Sequence, residues 1–94
     1  MMFTVKEILE ATGGTLIAGQ PGRRVTGVST DTRLVKRNQV FVAIKGDNFD
    51  GHHFLAQAVE KGACAVVVSS RDSKVPEGAA GVLVEDTVKA LGRM

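Results

Sequence analysis

The chain has 94 residues, 44% apolar and 23% charged, with eleven glycines, two prolines and neither tryptophan nor tyrosine, the composition of one compact soluble domain. So short a chain buries only about 60–65% of the surface its unfolded form exposes, which leaves little room for a deep catalytic cavity beside a core and argues against a complete multi-step enzyme. Lysine and arginine outnumber aspartate and glutamate by 12 to 10, a net charge of +2. Basic pairs occur only at Arg23-Arg24 and Lys36-Arg37, without interleaved aromatics, so nucleic-acid binding is not expected.

Met1 to Lys6 has no signal-peptide apolar stretch, and the longest apolar run is far short of the roughly 18 residues a membrane span needs, so a cytoplasmic location without membrane insertion is expected. Thr4-Val5-Lys6-Glu7 fits a capping box and predicts a short helix with Val5, Ile8, Leu9 and Thr12 on one face, stopped by Gly13-Gly14. Thr15 to Ala18 predicts a strand, Gly19 to Gly22 a turn and Val25 to Val28 a second strand, the two expected to pair as a hairpin. A dense polar loop follows at Ser29 to Arg33. Val40 to Ile44 is a continuous apolar run, as in a parallel sheet covered on both faces.

Lys45 to Gly51 reads as a turn-rich loop. A helix is then predicted from His52 to Lys61, with Phe54, Leu55, Ala58 and Val59 on its apolar face, Asp50 as its cap and Gly62 at its end. Ala65 to Val68 is a further buried strand, which completes a βαβ unit, and Cys64 beside it reads as a small buried hydrophobe. Ser69 to Ala80 is a surface connection to a last strand, Gly81 to Glu85. Asp86 or Thr87 then caps a helix through Val88, Ala90 and Leu91, and the ending at Met94 reads as a cut through a longer chain. The fold class expected is α/β: a small mixed sheet with a βαβ unit and flanking helices.

Candidate chemistry is sparse. Gly14-x-x-x-x-Gly19 and Gly46-x-x-x-x-Gly51 have the outer spacing of a P-loop, but Gln20-Pro21 and His52-His53 stand where Lys and Ser/Thr are required. Adjacent histidines at a helix start diverge by about 100° and converge poorly on one ion, so no metal site is expected. Neither Ser29 nor Ser69-Ser70 sits on the sharp glycine-flanked turn of a nucleophile. What remains are the loops Ser29 to Arg33 and Gly46 to His52, each following a predicted strand, where open α/β sheets bind ligands, so both are expected to face one shallow site. Hydroxyls of Ser29, Thr30 and Thr32 suit carbonyl or phosphate oxygens and Arg33 suits a phosphate. Asn48 suits a nucleobase edge and Phe49 offers a stacking face. A capped turn with a salt bridge, and Phe49 covering the core, is the competing reading.

Val28-Ser29-Thr30-Asp31-Thr32-Arg33, then Val40-Phe41-Val42-Ala43-Ile44-Lys45-Gly46-Asp47-Asn48-Phe49-Asp50-Gly51-His52-His53-Phe54, then Ala58 to Ala63, resemble the N-terminal domain of the Mur ligases. These are ATP-dependent amide ligases that build the peptide stem of bacterial peptidoglycan, and the resemblance runs from Thr4 to Met94. Thr4 to Ile8, Thr12 to Leu16, Asn48 to His52 and Val84 to Leu91 are most similar to the branch that adds D-alanyl-D-alanine to a UDP-N-acetylmuramoyl-tripeptide; the branch that adds the third residue shares this first domain. Asn38-Gln39 departs from the family's usual Gly-Asp or Gly-Glu.

The resemblance implies that residues 1–94 are a single domain docking the UDP end of a UDP-N-acetylmuramoyl-peptide. By that likeness Thr30, Thr32 and Arg33 meet the uridine diphosphate, and Asp47, Asn48 and Phe49 meet the uracil. It also implies ATP and Mg²⁺ as cofactors of the whole ligase, neither bound here, and central ATP-binding and C-terminal domains of the same ligase as partners. No catalytic or metal-binding residue is expected in this segment. The other classes left open are a stand-alone nucleotide or protein interaction module and nucleic-acid binding through Arg23, Arg24, Lys36 and Arg37.

Overall fold

The computed structural model describes residues 2–94. Phe3–Thr4 (β1) leads directly into a helix at Val5–Thr12 (α1), and the capping box forms as expected: Glu7 N–H donates to Thr4 Oγ1 at 3.3 Å and Thr4 N–H donates to Glu7 Oε1 at 3.0 Å. Gly13 ends α1 at φ 70°, the left-handed conformation glycine adopts without a Cβ clash. Strands follow at Thr15–Ala18 (β2), Arg24–Val25 (β3), Gly27–Ser29 (β4) and Gln39–Val42 (β5). A 3₁₀ turn at Gly51–Phe54 precedes a helix at Leu55–Glu60 (α2), and strands Ala65–Val68 (β6) and Ala80–Leu83 (β7) and a helix at Thr87–Arg93 (α3) complete the described fold.

The main sheet runs β2-β7-β6-β5-β4, with β4, β5, β6 and β7 parallel and β2 antiparallel on β7. This is the expected α/β mixed sheet, and β5-α2-β6 is its βαβ unit. Alternation along the central strands divides the core in two. Val40, Val42, Ala65 and Val67 face α1 and α3, together with Val5, Ile8 and Ala90. Phe41, Ala43, Val66 and Val68 face α2, with Leu55 and Ala58. Covering both faces is what turns β5 and β6 into unbroken apolar runs. Cys64 is 1% exposed in the first cluster, and burial raises its thiol pKa.

The expected hairpin does not form. β2 pairs with β7, Thr15 opposite Leu83 and Leu16 opposite Val82, while β3 pairs with β1 in a separate two-stranded ribbon. Two glycines permit the β2–β7 approach: a Cβ on Gly14 would lie 2.8 Å from Val82 Cγ1, and one on Gly19 would lie 2.6 Å from Ala80 Cα. The turn and the residue after it serve α1 instead, since Val5 N–H donates to Arg23 O at 3.0 Å and Lys6 N–H to Pro21 O at 2.8 Å. With the Thr4 cap, the first amides of α1 are thereby satisfied.

The single strand expected at Val25 to Val28 is broken at Thr26, whose N–H and hydroxyl bond to the carbonyls of Asn38 and Arg37 at 2.8 and 3.2 Å. Asn38 has φ 65°, which asparagine tolerates better than most other residues with a side chain. The helix expected from His52 begins as the 3₁₀ turn, and the last strand starts and ends earlier than predicted. Asp86 is the cap of α3, accepting from Val88 and Lys89 N–H at 2.9 and 3.2 Å, and Val88 on that helix is 58% exposed while Ala90 is buried.

Candidate functional site

Because β4 and β5 are parallel neighbours, with Ser29 opposite Phe41, the loops that follow them leave the same edge of the sheet. The first is folded by its own short side chains. Ser29 Oγ donates to Asp31 O at 3.1 Å and accepts from Asp31 N–H at 3.3 Å, so its hydroxyl is spent on the turn. Asp31 Oδ1 accepts from Arg33 N–H at 2.9 Å, and its carboxylate grips the Arg33 guanidinium through Nε at 3.1 Å and Nη2 at 2.8 Å. Arg33 pulls the Asp31 carboxyl down to about 2 from an ordinary 3.8, first through the side-chain bond and then through its backbone N–H.

This is the capped turn with a salt bridge, and it is compatible with ligand binding. Asp31 braces a planar cation whose side chain is 86% exposed and whose Nη1 remains open to an oxyanion. Thr32 and Arg33 line a cleft of about 270 Å³ with Gln57, Glu60 and Lys61 beside α2. Thr30 is exposed.

The second loop closes on itself. Lys45 and Asp50 form an antiparallel bridge, Gly46 N–H donates to Phe49 O at 2.6 Å, and Gly51 N–H donates to Ile44 O at 2.8 Å. Asp47 and Asn48 therefore stand at the tip, exposed. Phe49 is 47% exposed rather than covering the core, and it stacks on Phe54 with ring centroids 5.0 Å apart and 10° between planes. The second ring keeps the first flat, as an aromatic platform needs.

Thr32 and Arg33 turn toward α2, while the Asp47–Phe49 turn folds over Phe54 and lines neither that cleft nor the larger one below. The six residues thus share a sheet edge without sharing one cavity, in place of the single shallow site expected from sequence.

A larger concavity lies at the same edge, about 630 Å³, lined by Lys45, Asp50, His52, Ser69, Ser70 and Lys74 among others. It contains an arrangement that the sequence pattern does not announce. Asp50 Oδ1 caps the 3₁₀ turn through His52 N–H at 3.0 Å and also meets His52 Nδ1 at 2.7 Å. These contacts, the backbone bond foremost, lower the Asp50 pKa. On the far side of the ring, His52 Nε2 accepts the backbone N–H of Ser69 at 3.0 Å, with Ser69 Oγ at 3.4 Å.

The order Asp, His, Ser imitates a catalytic triad, but the Nε2 lone pair is already taken by an amide, so the imidazole is not placed to activate the hydroxyl. Sequence reading anticipates the Asp50 cap. It has no means of placing the far side of the His52 ring on Ser69, 17 residues away. The P-loop spacings are not phosphate cradles either: the space of a Cβ is filled by Ala80 at Gly19, and at Gly51 by Ile44 N at 2.9 Å.

In this three-layered α/β domain the two polar loops stand at the C-terminal edge of the parallel strands, the edge where open α/β sheets bind ligands. Residues 24–94 match the model of the Mur ligase family, catalytic domain. Among relatives, the chain is 44% identical over 92 residues to the UDP-N-acetylmuramoyl-tripeptide–D-alanyl-D-alanine ligase of Bacillus subtilis, covering 97% of this chain and 20% of that protein. It is 49% identical over 72 residues to the UDP-N-acetylmuramoyl-L-alanyl-D-glutamate–2,6-diaminopimelate ligase of Aquifex aeolicus, covering 76% and 14%.

A crystal structure of MurF from Acinetobacter baumannii superposes with a TM-score of 0.85 at 31% identity, over 99% of this chain and 20% of that one. The chain belongs to the Mur ligase family, and its fold is that of the family's N-terminal domain. It spans about a fifth of the length of the Bacillus subtilis and Acinetobacter baumannii proteins. Among the described residues no helix is long and apolar enough to cross a membrane.

Proposed function

We propose that this chain is the domain of a D-alanyl-D-alanine-adding ligase that docks the UDP end of a UDP-N-acetylmuramoyl-tripeptide. The observation that carries the proposal is the pair of loops at one sheet edge, one presenting a braced, exposed guanidinium and the other a stacked, exposed phenyl ring. Arg33, with Thr30 and Thr32, suits the diphosphate, while Phe49, Asn48 and Asp47 suit the face and edge of uracil. The similarity to the Bacillus subtilis ligase along nearly the whole chain supports the D-alanyl-D-alanine assignment.

The higher identity to a diaminopimelate-adding ligase, over a shorter stretch, supports the second reading, in which the substrate is the dipeptide precursor. In either case ATP and Mg²⁺ serve the whole ligase. The filled spaces at Gly19 and Gly51 and the missing P-loop lysine do not fit an ATP site in this segment, so phosphorylation of the substrate carboxylate and attack by the incoming amine belong to central and C-terminal domains outside it.

Titration of the ¹⁵N-labelled chain with UDP tests the docking site: amide shifts are expected at Thr32 and Asn48, weak in affinity because one domain supplies only part of the contacts. Absence of shifts at both loops with UDP in millimolar excess rejects the site. Comparing UDP-N-acetylmuramoyl-tripeptide with the dipeptide as substrate of the full-length ligase separates the two readings.

A further inference from the structure

We propose that His52 is a positioning residue for the Asp47–Phe49 turn, a latch of neutral imidazole that ties the start of the 3₁₀ turn to the end of β6. Its consequence for ligand binding rests on the UDP-docking reading; the latch itself rests on the hydrogen bonds alone. Among the described residues, His52 is the one side chain that bonds to both walls of the larger cleft, Asp50 on one side and Ser69 on the other. The Asp47–Phe49 turn is tied at its base by the Lys45–Asp50 bridge, so whatever fixes Asp50 fixes the turn.

The two contacts of the ring make opposite demands on its protonation. Accepting the Ser69 N–H requires a lone pair on Nε2, which exists only in the neutral ring with its proton on Nδ1, facing Asp50. Adding a proton turns Nε2 into a donor facing a donor, while the Asp50 contact is kept and strengthened by charge. Protonation therefore cuts the latch on the β6 side alone, and the turn is released from β6 while its helix stays capped.

The charged and titratable groups that line the cleft with the ring are Asp50 on its own element, the adjacent His53, Lys45 after β5, and Asp72 and Lys74 from the β6–β7 connection. The latch is therefore engaged while the imidazole is neutral and open once it is protonated, a change of charge on which histidine switches rest.

The test is amide exchange and ¹H–¹⁵N shifts of the 94-residue chain between pH 8 and pH 5, corrected for intrinsic exchange, for the unmodified protein, His53→Gln and His52→Gln. A glutamine retains a neutral donor and acceptor at every pH. Ser69 protection is expected to fall about tenfold in the unmodified protein and in His53→Gln, the loss of one amide hydrogen bond, with the amides of residues 46–49 shifting in parallel. His52→Gln is expected to show no such pH dependence.

A flat Ser69 profile in the unmodified protein, which needs no variant to fold, overturns the proposal, as does a pH response that survives His52→Gln. UDP titrated at pH 8 and pH 5.5 reads the consequence: binding several-fold weaker at pH 5.5 in the unmodified protein and less so in His52→Gln supports the positioning role, and equal pH dependence in both overturns it. No UDP binding at either pH rejects the docking reading and leaves the latch decided by the exchange data.

Discussion

Gly51→Ala isolates how tightly the second loop is seated against the sheet. Gly51 is buried, and a Cβ built on it would lie 2.9 Å from Ile44 N, 3.0 Å from Ala43 Cα and 3.3 Å from Ala43 C, all backbone atoms of the chain leaving β5. Backbone cannot rotate aside as a flexible side chain would, so the turn must shift, which strains the Gly51 N–H bond to Ile44 O. Overpacking of this kind costs about 1–3 kcal/mol, against a gain of about 0.4–1 kcal/mol from reduced freedom of the unfolded chain. The net loss is about 1–2 kcal/mol, a large part of the roughly 5–14 kcal/mol expected for a domain of this size.

At about 4–8 °C per kcal/mol, Gly51→Ala should melt roughly 5–15 °C below the unmodified protein in a thermal scan followed by circular dichroism. Gly46→Ala is the matched control within the same loop. Its Cβ would meet nothing nearer than Phe49 O at 3.7 Å, an ordinary contact, and its melting temperature should stay within about 3 °C or rise slightly. A Gly51→Ala protein melting within about 2 °C of the parent, or a Gly46→Ala protein that loses as much, refutes the close-approach argument.

Two further outcomes follow from the site. The Asp31 carboxyl, followed by ¹³C NMR, should titrate near 2 instead of 3.8. Since its folded pKa is depressed, its pairing with Arg33 is fully present above the unfolded value and is lost as pH falls through about 2, and Arg33→Ala should move the midpoint upward. Phe49→Leu should leave the melting temperature nearly unchanged, because the ring is half-exposed, yet weaken UDP binding fivefold or more, in line with about 1–3 kcal/mol for a base stacked on an aromatic ring. An unchanged UDP affinity in Phe49→Leu would remove that ring from the site.

Much of this protein is written locally. The Thr4–Glu7 capping box, the left-handed stop at Gly13, the Asp50 and Asp86 caps and the apolar runs of β5 and β6 all depend on residues within about four positions of one another, and all are legible in the amino-acid sequence alone. The two candidate loops are legible for the same reason, since each is a polar run that follows a strand.

Tertiary structure decided the partners. A strand's apolar pattern says which face is buried and nothing about which neighbour it will meet, so β2 reads as half of a hairpin when its place is beside β7, and one apparent strand at residues 25–28 serves two sheets. The same limit hides the His52–Ser69 bond and the separation of Thr32 and Arg33 from the Asp47–Phe49 turn. Composition and spacing record what each residue is able to do; the order of strands in the sheet determines which residues it does it with.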